Sequence, residues 1–158
     1  MTRIAFTTLG CKANWTDTES LIQSCKQVGL EVVEFEDFAE IYVVNTCTVT
    51  AVADQQSRQM LRRARRKNSG ALVFATGCSG EVEAKELRSI SEVDAVFGTS
   101  DREALLQKIF QSAGITVPMT KLSHTGMRQS RARAFMRIQD GCDRRCAYCI
   151  VPKARGRS

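Results

Sequence analysis

The chain has 158 residues, 43% of them apolar and 25% charged, with a formal net charge of +6. That is a globular composition, long enough to fill one core and too short for two full-sized domains. The longest apolar runs are only a few residues, which excludes a membrane-spanning helix. Met1 to Gly10 lacks the basic start and long apolar stretch of a signal peptide, so the expected location is cytoplasmic. The charge is uneven. Residues 1–120 carry 13 Lys/Arg against 15 Asp/Glu, and residues 121–158 carry 10 against 2. A mildly acidic body joined to a strongly basic tail points to an anionic partner such as nucleic acid.

The predicted elements run in alternation. Residues 3–8 read as a buried strand. Residues 16–28 read as a helix, capped by Thr16 or Asp17, with Leu21, Ile22, Cys25 and Val28 at helical spacing and Gly29 as the stop. A second strand spans 30–35, and an acidic loop follows with Glu36, Asp37 and Glu40. Residues 41–45 form a third strand, nearly all apolar, as when helices cover both sheet faces. A long helix covers 50–67. A strand at 71–76, a short helix at 81–90, a strand at 93–97 and a helix at 101–113 complete the pattern. Strands alternating with helices predict an α/β fold with an open parallel sheet flanked by helices. The pattern ends at 113. Residues 114–133, with Pro118, His124, Arg128, Arg131 and Arg133, read as a linker. Residues 134–139 read as a new strand that opens a second unit, 134–158.

Seven cysteines without an export signal read as thiols in a reducing compartment, used as metal ligands, catalysts or packing groups. Cys11, Cys47 and Cys78 follow the first, third and fourth strands. The carboxyl ends of parallel strands form the edge where ligand sites assemble, so three thiols distant in sequence are expected on one rim. Gly10 and Gly77 precede two of them and allow close backbone approach. The alternative is that each is a small buried hydrophobe, and Cys25, on the apolar face of the first helix, is read that way. Cys142, Cys146 and Cys149 form Cys-x3-Cys-x2-Cys. Three thiolates on a four-iron, four-sulfur cluster would leave one iron open to a substrate or cofactor. An incomplete zinc knuckle is the alternative.

At these residues the chain resembles a known family. Cys142-Asp-Arg-Arg-Cys146-Ala-Tyr-Cys149 is similar to the cluster loop of radical S-adenosylmethionine enzymes. The wider string from Arg137 to Ser158, with its Pro-x-Ala-Arg-Gly at Pro152 to Gly156, resembles the methylthiotransferase branch. So do TLGCKANWTDTES from Thr8 to Ser20, VVNTCTVTAVADQQSRQMLRRARR from Val43 to Arg66, and TGCSG from Thr76 to Gly80. Within the branch, the chain looks most like the members that act on threonylcarbamoyladenosine in tRNA. Sister enzymes for isopentenyladenosine tend to carry Gln-Met after the first cysteine, and those for a ribosomal-protein aspartate Pro-Lys. Here the pair is Lys12-Ala13.

The resemblance implies two 4Fe-4S clusters and S-adenosyl-L-methionine. Cys142, Cys146 and Cys149 would hold the radical cluster, whose open iron binds S-adenosylmethionine. The radical released from it would abstract hydrogen from adenine C2. Cys11, Cys47 and Cys78 would hold an auxiliary cluster that presents the sulfur, and a second S-adenosylmethionine would supply the methyl group. The implied partners are the tRNA anticodon stem-loop and an electron donor, with no membrane. Family members also carry a barrel core and a small RNA-binding domain. A barrel needs about 250 residues, so 134–158 reads as the truncated start of one and the isolated chain as inactive.

The helix after Cys47 carries Arg58, Arg62, Arg63, Arg65, Arg66 and Lys67, with no acid among them. These are the candidate RNA-phosphate contacts, set against an ordinary solvated helix face. Arg128, Arg131, Arg133, Arg137, Arg144 and Arg145 extend the same candidate path, unless Arg144 and Arg145 compensate cluster charge. Asp17 and Glu19 are expected to support the first helix N-terminus. The competing function is a non-catalytic, cysteine-rich α/β module that binds metal and RNA.

Overall fold

The computed structural model describes residues 1–116 and 137–158. Five strands, β1 (Arg3–Thr8), β2 (Glu31–Val33), β3 (Ile41–Thr46), β4 (Leu72–Gly77) and β5 (Ala95–Val96), form one sheet in the order β2-β1-β3-β4-β5. Every pairing is parallel. The helices between them are α1 (Lys12–Gln27), α2 (Ala51–Lys67), α3 (Cys78–Val82), α4 (Ala84–Arg88) and α5 (Arg102–Ser112), and α6 (Val151–Arg155) lies in the second described stretch.

The two-residue period of the strands divides the core between the faces. Ile4, Ile41, Val43 and Phe74 point toward Leu21 and Cys25 of α1 and Leu105, Leu106, Ile109 and Phe110 of α5. Ala5, Tyr42, Val44, Val73 and Ala75 point toward Leu61 and Ala64 of α2 and Leu87 of α4. All six residues of β3 are buried because helices cover both of its faces. The fold is the doubly wound α/β sheet expected from the alternation, and the order reverses direction between β1 and β3.

Four element boundaries differ from expectation. Helix α1 starts at Lys12 rather than 16, because Gly10 turns the chain at φ +88 and Asn14 ties the first turn to the sheet. Thr16 therefore lies inside the helix, where its hydroxyl donates to the Ala13 carbonyl at 2.8 Å. The helix expected at 81–90 is two short pieces broken at Glu83, whose carboxylate is held by Arg58. The outer strands β2 and β5 are shorter than expected, since each pairs on one side only. No strand forms over 137–139, and 134–136 lie outside the described residues, as do Pro118, His124, Arg128, Arg131 and Arg133.

Candidate metal centre

The sheet order brings the carboxyl ends of β1, β3 and β4 side by side. Cys11 caps the N-terminus of α1 directly after β1, Cys47 follows β3, and Cys78 opens α3 directly after β4. Cys11 is exposed, whereas Cys47 and Cys78 are buried. Gly10 lies so close to Cys47 that a Cβ there would sit 2.6 Å from the Cys47 Cβ. Gly77, at φ +94, turns β4 straight into α3 and abuts the backbone of Thr46. Burial raises the Cys78 thiol pKa; the Arg155 guanidinium pulls it back down, and the Cys47 and Cys11 thiols raise it further.

A polar network holds this rim. Asn14 is buried on α1 and donates to the Leu9 carbonyl at 2.9 Å and the Thr46 carbonyl at 3.0 Å, clasping the ends of β1 and β3. Its Oδ1 accepts from Cys78 Sγ at 3.7 Å. Asn45 returns two bonds of 2.9 Å, to the Asn14 carbonyl and to Thr18 Oγ1. On the other face, Ser57 Oγ accepts the Cys47 amide at 3.1 Å and so fixes that loop to α2.

The segment that carries the second cysteine set packs against the first rim through α6. The Cys142 amide donates to the Gly156 carbonyl at 3.0 Å, closing the loop from 142 to 156, and the Cys149 amide donates to the Cys146 carbonyl at 3.1 Å. Cys146 is exposed, and Cys142 and Cys149 are half-buried. A cavity of about 650 Å³ opens next to Cys142, lined also by Arg144, Arg145, Pro152 and Arg157. From this loop Arg155 reaches the first rim. It donates to Asn14 Oδ1 at 2.5 Å and to Asp17 Oδ2 at 2.9 Å. Burial opposes its charge, but Asp17 and Asp140 outweigh that and raise its pKa.

The donor chemistry of both sets suits soft metal ions and iron–sulfur clusters, which are held by thiolates. The three rim thiols come from adjacent strand ends, and Gly10 leaves room for the Cys47 sulfur. The side chains stand apart as free thiols: among the described residues, no three His, Cys, Asp or Glu are gathered at metal-holding distance. Cys25 is packed in the α1–α5 core, where burial pushes its thiol up to about 12.

The candidate RNA bases divide into two groups. Arg58 pairs with Asp54 and Glu83, Arg63 and Lys67 pair with Glu36, and Arg65 pairs with Asp94. These four are engaged by acids of this fold, Asp54 on α2 itself and the others beyond it. Arg62 and Arg66 are exposed and have no ion-pair partner among the described residues. Asp17 lies in the second turn of α1, not at its start, and binds Arg137 and Arg155. Asn14 and Arg155 are the residues that periodicity and spacing passed over. Both lie inside the motif strings that carry the family resemblance.

A family model described as "Uncharacterized protein family UPF0004" matches residues 3–98. The chain is 40% identical to the threonylcarbamoyladenosine tRNA methylthiotransferase MtaB of Bacillus subtilis, over 99% of this chain and 37% of that protein. It is 39% identical to the protein of the same name from Aquifex aeolicus, over 98% of this chain and 40% of that one. It is 32% identical to the ribosomal protein uS12 methylthiotransferase RimO of Prosthecochloris aestuarii, over 99% of this chain and 36% of that protein. The chain thus spans 36–40% of the length of these relatives.

Proposed function

The chain belongs to the UPF0004 family, matched over residues 3–98, and on that premise we propose that it carries the two cluster-binding cysteine sets of a radical S-adenosylmethionine methylthiotransferase. The proposed substrate is N6-threonylcarbamoyladenosine next to the anticodon of tRNA, modified at C2. The observation that carries the reading is the placement of Cys11, Cys47 and Cys78 at the carboxyl ends of three adjacent strands, astride the point where the sheet order reverses. The names of the Bacillus subtilis and Aquifex aeolicus relatives support the tRNA substrate over a ribosomal protein.

In this reading Cys11, Cys47 and Cys78 hold an auxiliary 4Fe-4S cluster, and Cys142, Cys146 and Cys149 hold the radical one. When bound, the clusters and S-adenosylmethionine supply the radical, the sulfur and the methyl group. The protein's own residues do the positioning. Asn14 fixes the rim, Ser57 orients the Cys47 loop, and Gly10 leaves space beside the Cys47 sulfur. Exposed Cys11 and Cys146 leave each set open on one side. The cavity beside Cys142 presents Arg144, Arg145 and Arg157, which favour a ligand with an anionic group. Arg62 and Arg66 supply phosphate contacts. An electron donor completes the set of partners, and the location is the cytoplasm. Among the described residues, no helix is long and apolar enough to cross a membrane.

Anaerobic reconstitution with iron and sulfide tests the reading. Two clusters per chain are expected, one lost in Cys47→Ala and the other in Cys142→Ala. Stoichiometric zinc without iron–sulfur absorption would overturn it in favour of a non-catalytic metal- and RNA-binding module.

A further inference from the structure

We propose that Arg155 is a positioning residue that docks the second cysteine loop onto the rim carrying the first. The significance for cluster placement rests on the function proposed above; the docking itself rests on geometry alone.

Arg155 belongs to a closed ring of four charges. Its Nη2 donates to Asp17 Oδ2 at 2.9 Å and its Nη1 to Asp140 Oδ1 at 3.0 Å. Arg137 bridges the other oxygens of the same two carboxylates, Asp17 Oδ1 at 2.5 Å and Asp140 Oδ2 at 3.1 Å. Each arginine thus holds both aspartates, and the ring is neutral. Asp17 is on α1, and the other three come from the second described stretch, so the ring spans the junction. The Arg155 side chain is only 7% exposed, which sets it apart from a solvated surface pair.

Two further contacts seat the loop. Thr99 Oγ1 donates to the Ala154 carbonyl at 2.7 Å, and Ala154 itself is buried. Arg155 Nη2 also reaches Asn14 Oδ1, the atom that accepts from Cys78 Sγ. One asparagine therefore touches both the docking residue and a rim thiol. A planar fork of donors can meet Asn14, Asp17 and Asp140 together, whereas the point charge of a lysine cannot.

Hydrogen exchange on the 158-residue chain tests the docking, with Arg155→Gln, Arg155→Lys and Asp17→Asn compared with the parent. In Arg155→Gln, the amides of Cys142, Cys149, Ala154 and Gly156 should exchange at least about tenfold faster, while those of β3 and β4 keep their protection. Arg155→Lys should recover only part of the loss. The double variant Asp17→Asn/Arg155→Gln should fall short of the product of the single effects, because both changes cut the same interaction. Unchanged exchange over 142–156 in both single variants would overturn the proposal. So would an equal rise in β3 and β4, which marks general destabilisation. If Arg155→Gln does not fold, Asp17→Asn gives the same reading. Reconstituted iron per chain is measured in parallel. Absence of iron in every form refutes the function proposed above and leaves the exchange result standing.

Discussion

Replacing Gly10 with alanine separates backbone strain from rim packing. Gly10 has φ +88, and a Cβ there would meet the Sγ and Cβ of Cys47, the latter at 2.6 Å. Gly29 provides the control: its φ is +84, and a Cβ there would meet nothing within 4 Å. An L-residue in the left-handed region costs about 1–2 kcal/mol. The smaller unfolded-state entropy of alanine returns about 0.4–1 kcal/mol. Gly29→Ala should therefore lose about 1 kcal/mol. Gly10→Ala carries the same strain plus overpacking against Cys47, worth about 1–3 kcal/mol. At about 2–4 °C per kcal/mol for a chain of this size, Gly29→Ala should lower Tm by about 3 °C and Gly10→Ala by about 10 °C. Because the overlap includes the Cys47 Cβ, rotating that side chain cannot relieve it, and the Cys47 loop itself must shift. Cys47 should then react faster with a thiol reagent in Gly10→Ala and unchanged in Gly29→Ala. Equal Tm losses and equal Cys47 labelling in the two variants would refute the close approach of Gly10 to the Cys47 sulfur.

Three other outcomes follow from the structure. Burial pushes the Cys25 thiol from its ordinary value of 9.0 up to about 12, so it keeps its proton in the folded state across that range. The folded chain then binds more protons than the unfolded chain across that window. Stability present below pH 9 should fall by about 1.4 kcal/mol per unit between pH 9 and 12, and denaturant titrations of Cys25→Ala should show a shallower slope by that amount. For the arginines, Arg62→Glu/Arg66→Glu should weaken tRNA binding and flatten its salt dependence by about one unit of slope per lost phosphate contact, with Tm and iron content unchanged. Arg65→Glu should instead destabilise the fold by about 1–3 kcal/mol, because Arg65 holds Asp94 and the carbonyls of Ser69, Ala71 and Glu92. Undiminished tRNA affinity in the double variant at moderate salt would remove this helix face from the RNA path.

The readable parts of the sequence were those where one physical requirement dominates. Strands β1, β3 and β4 lie between two helical layers and must be apolar on both faces, so their runs marked them. Helix α2 announces its start through Thr50, whose side chain accepts from the Ala53 amide at 3.1 Å. The start of the first helix has no such marker, because Cys11 caps it with no side-chain bond and Asn14, which anchors its first turn, looks like any helix residue. The partners of the arginine run were hidden for a related reason. Glu36 and Asp94 lie 27 and 29 residues away from Arg63 and Arg65, and only the sheet topology brings them together. The pairing of Arg155 with Asn14 spans 141 residues and has no local signature at all.

The distribution of buried polar groups locates the site without reference to its thiols. Asn14, Thr18, Asn45, Thr46, Ser57, Thr76 and Ser79 are all buried at or beside the carboxyl ends of β1, β3 and β4; the other buried polar residue described, Ser24, lies farther along α1 and is satisfied by the Ser20 carbonyl at 3.0 Å. At the opposite end and in the middle of the sheet, the same strands bury Ile4, Ala5, Ile41, Tyr42, Val73 and Phe74. Most of the rim groups are bonded to one another, but Asn45 Oδ1 and Ser79 Oγ, like Asp54 Oδ1 in the first turn of α2, find no partner among the described residues. An unsatisfied buried polar atom costs about 1–3 kcal/mol, and an apolar side chain at either position would avoid it. Asn45 stands two residues before Cys47, and Ser79 directly follows Cys78. The fold therefore gives up stability at the edge that carries its three strand-end cysteines, and nowhere in the apolar body of the sheet. Packing alone gives no reason for that bias. The ligand-holding rim proposed above for Cys11, Cys47 and Cys78 would give one.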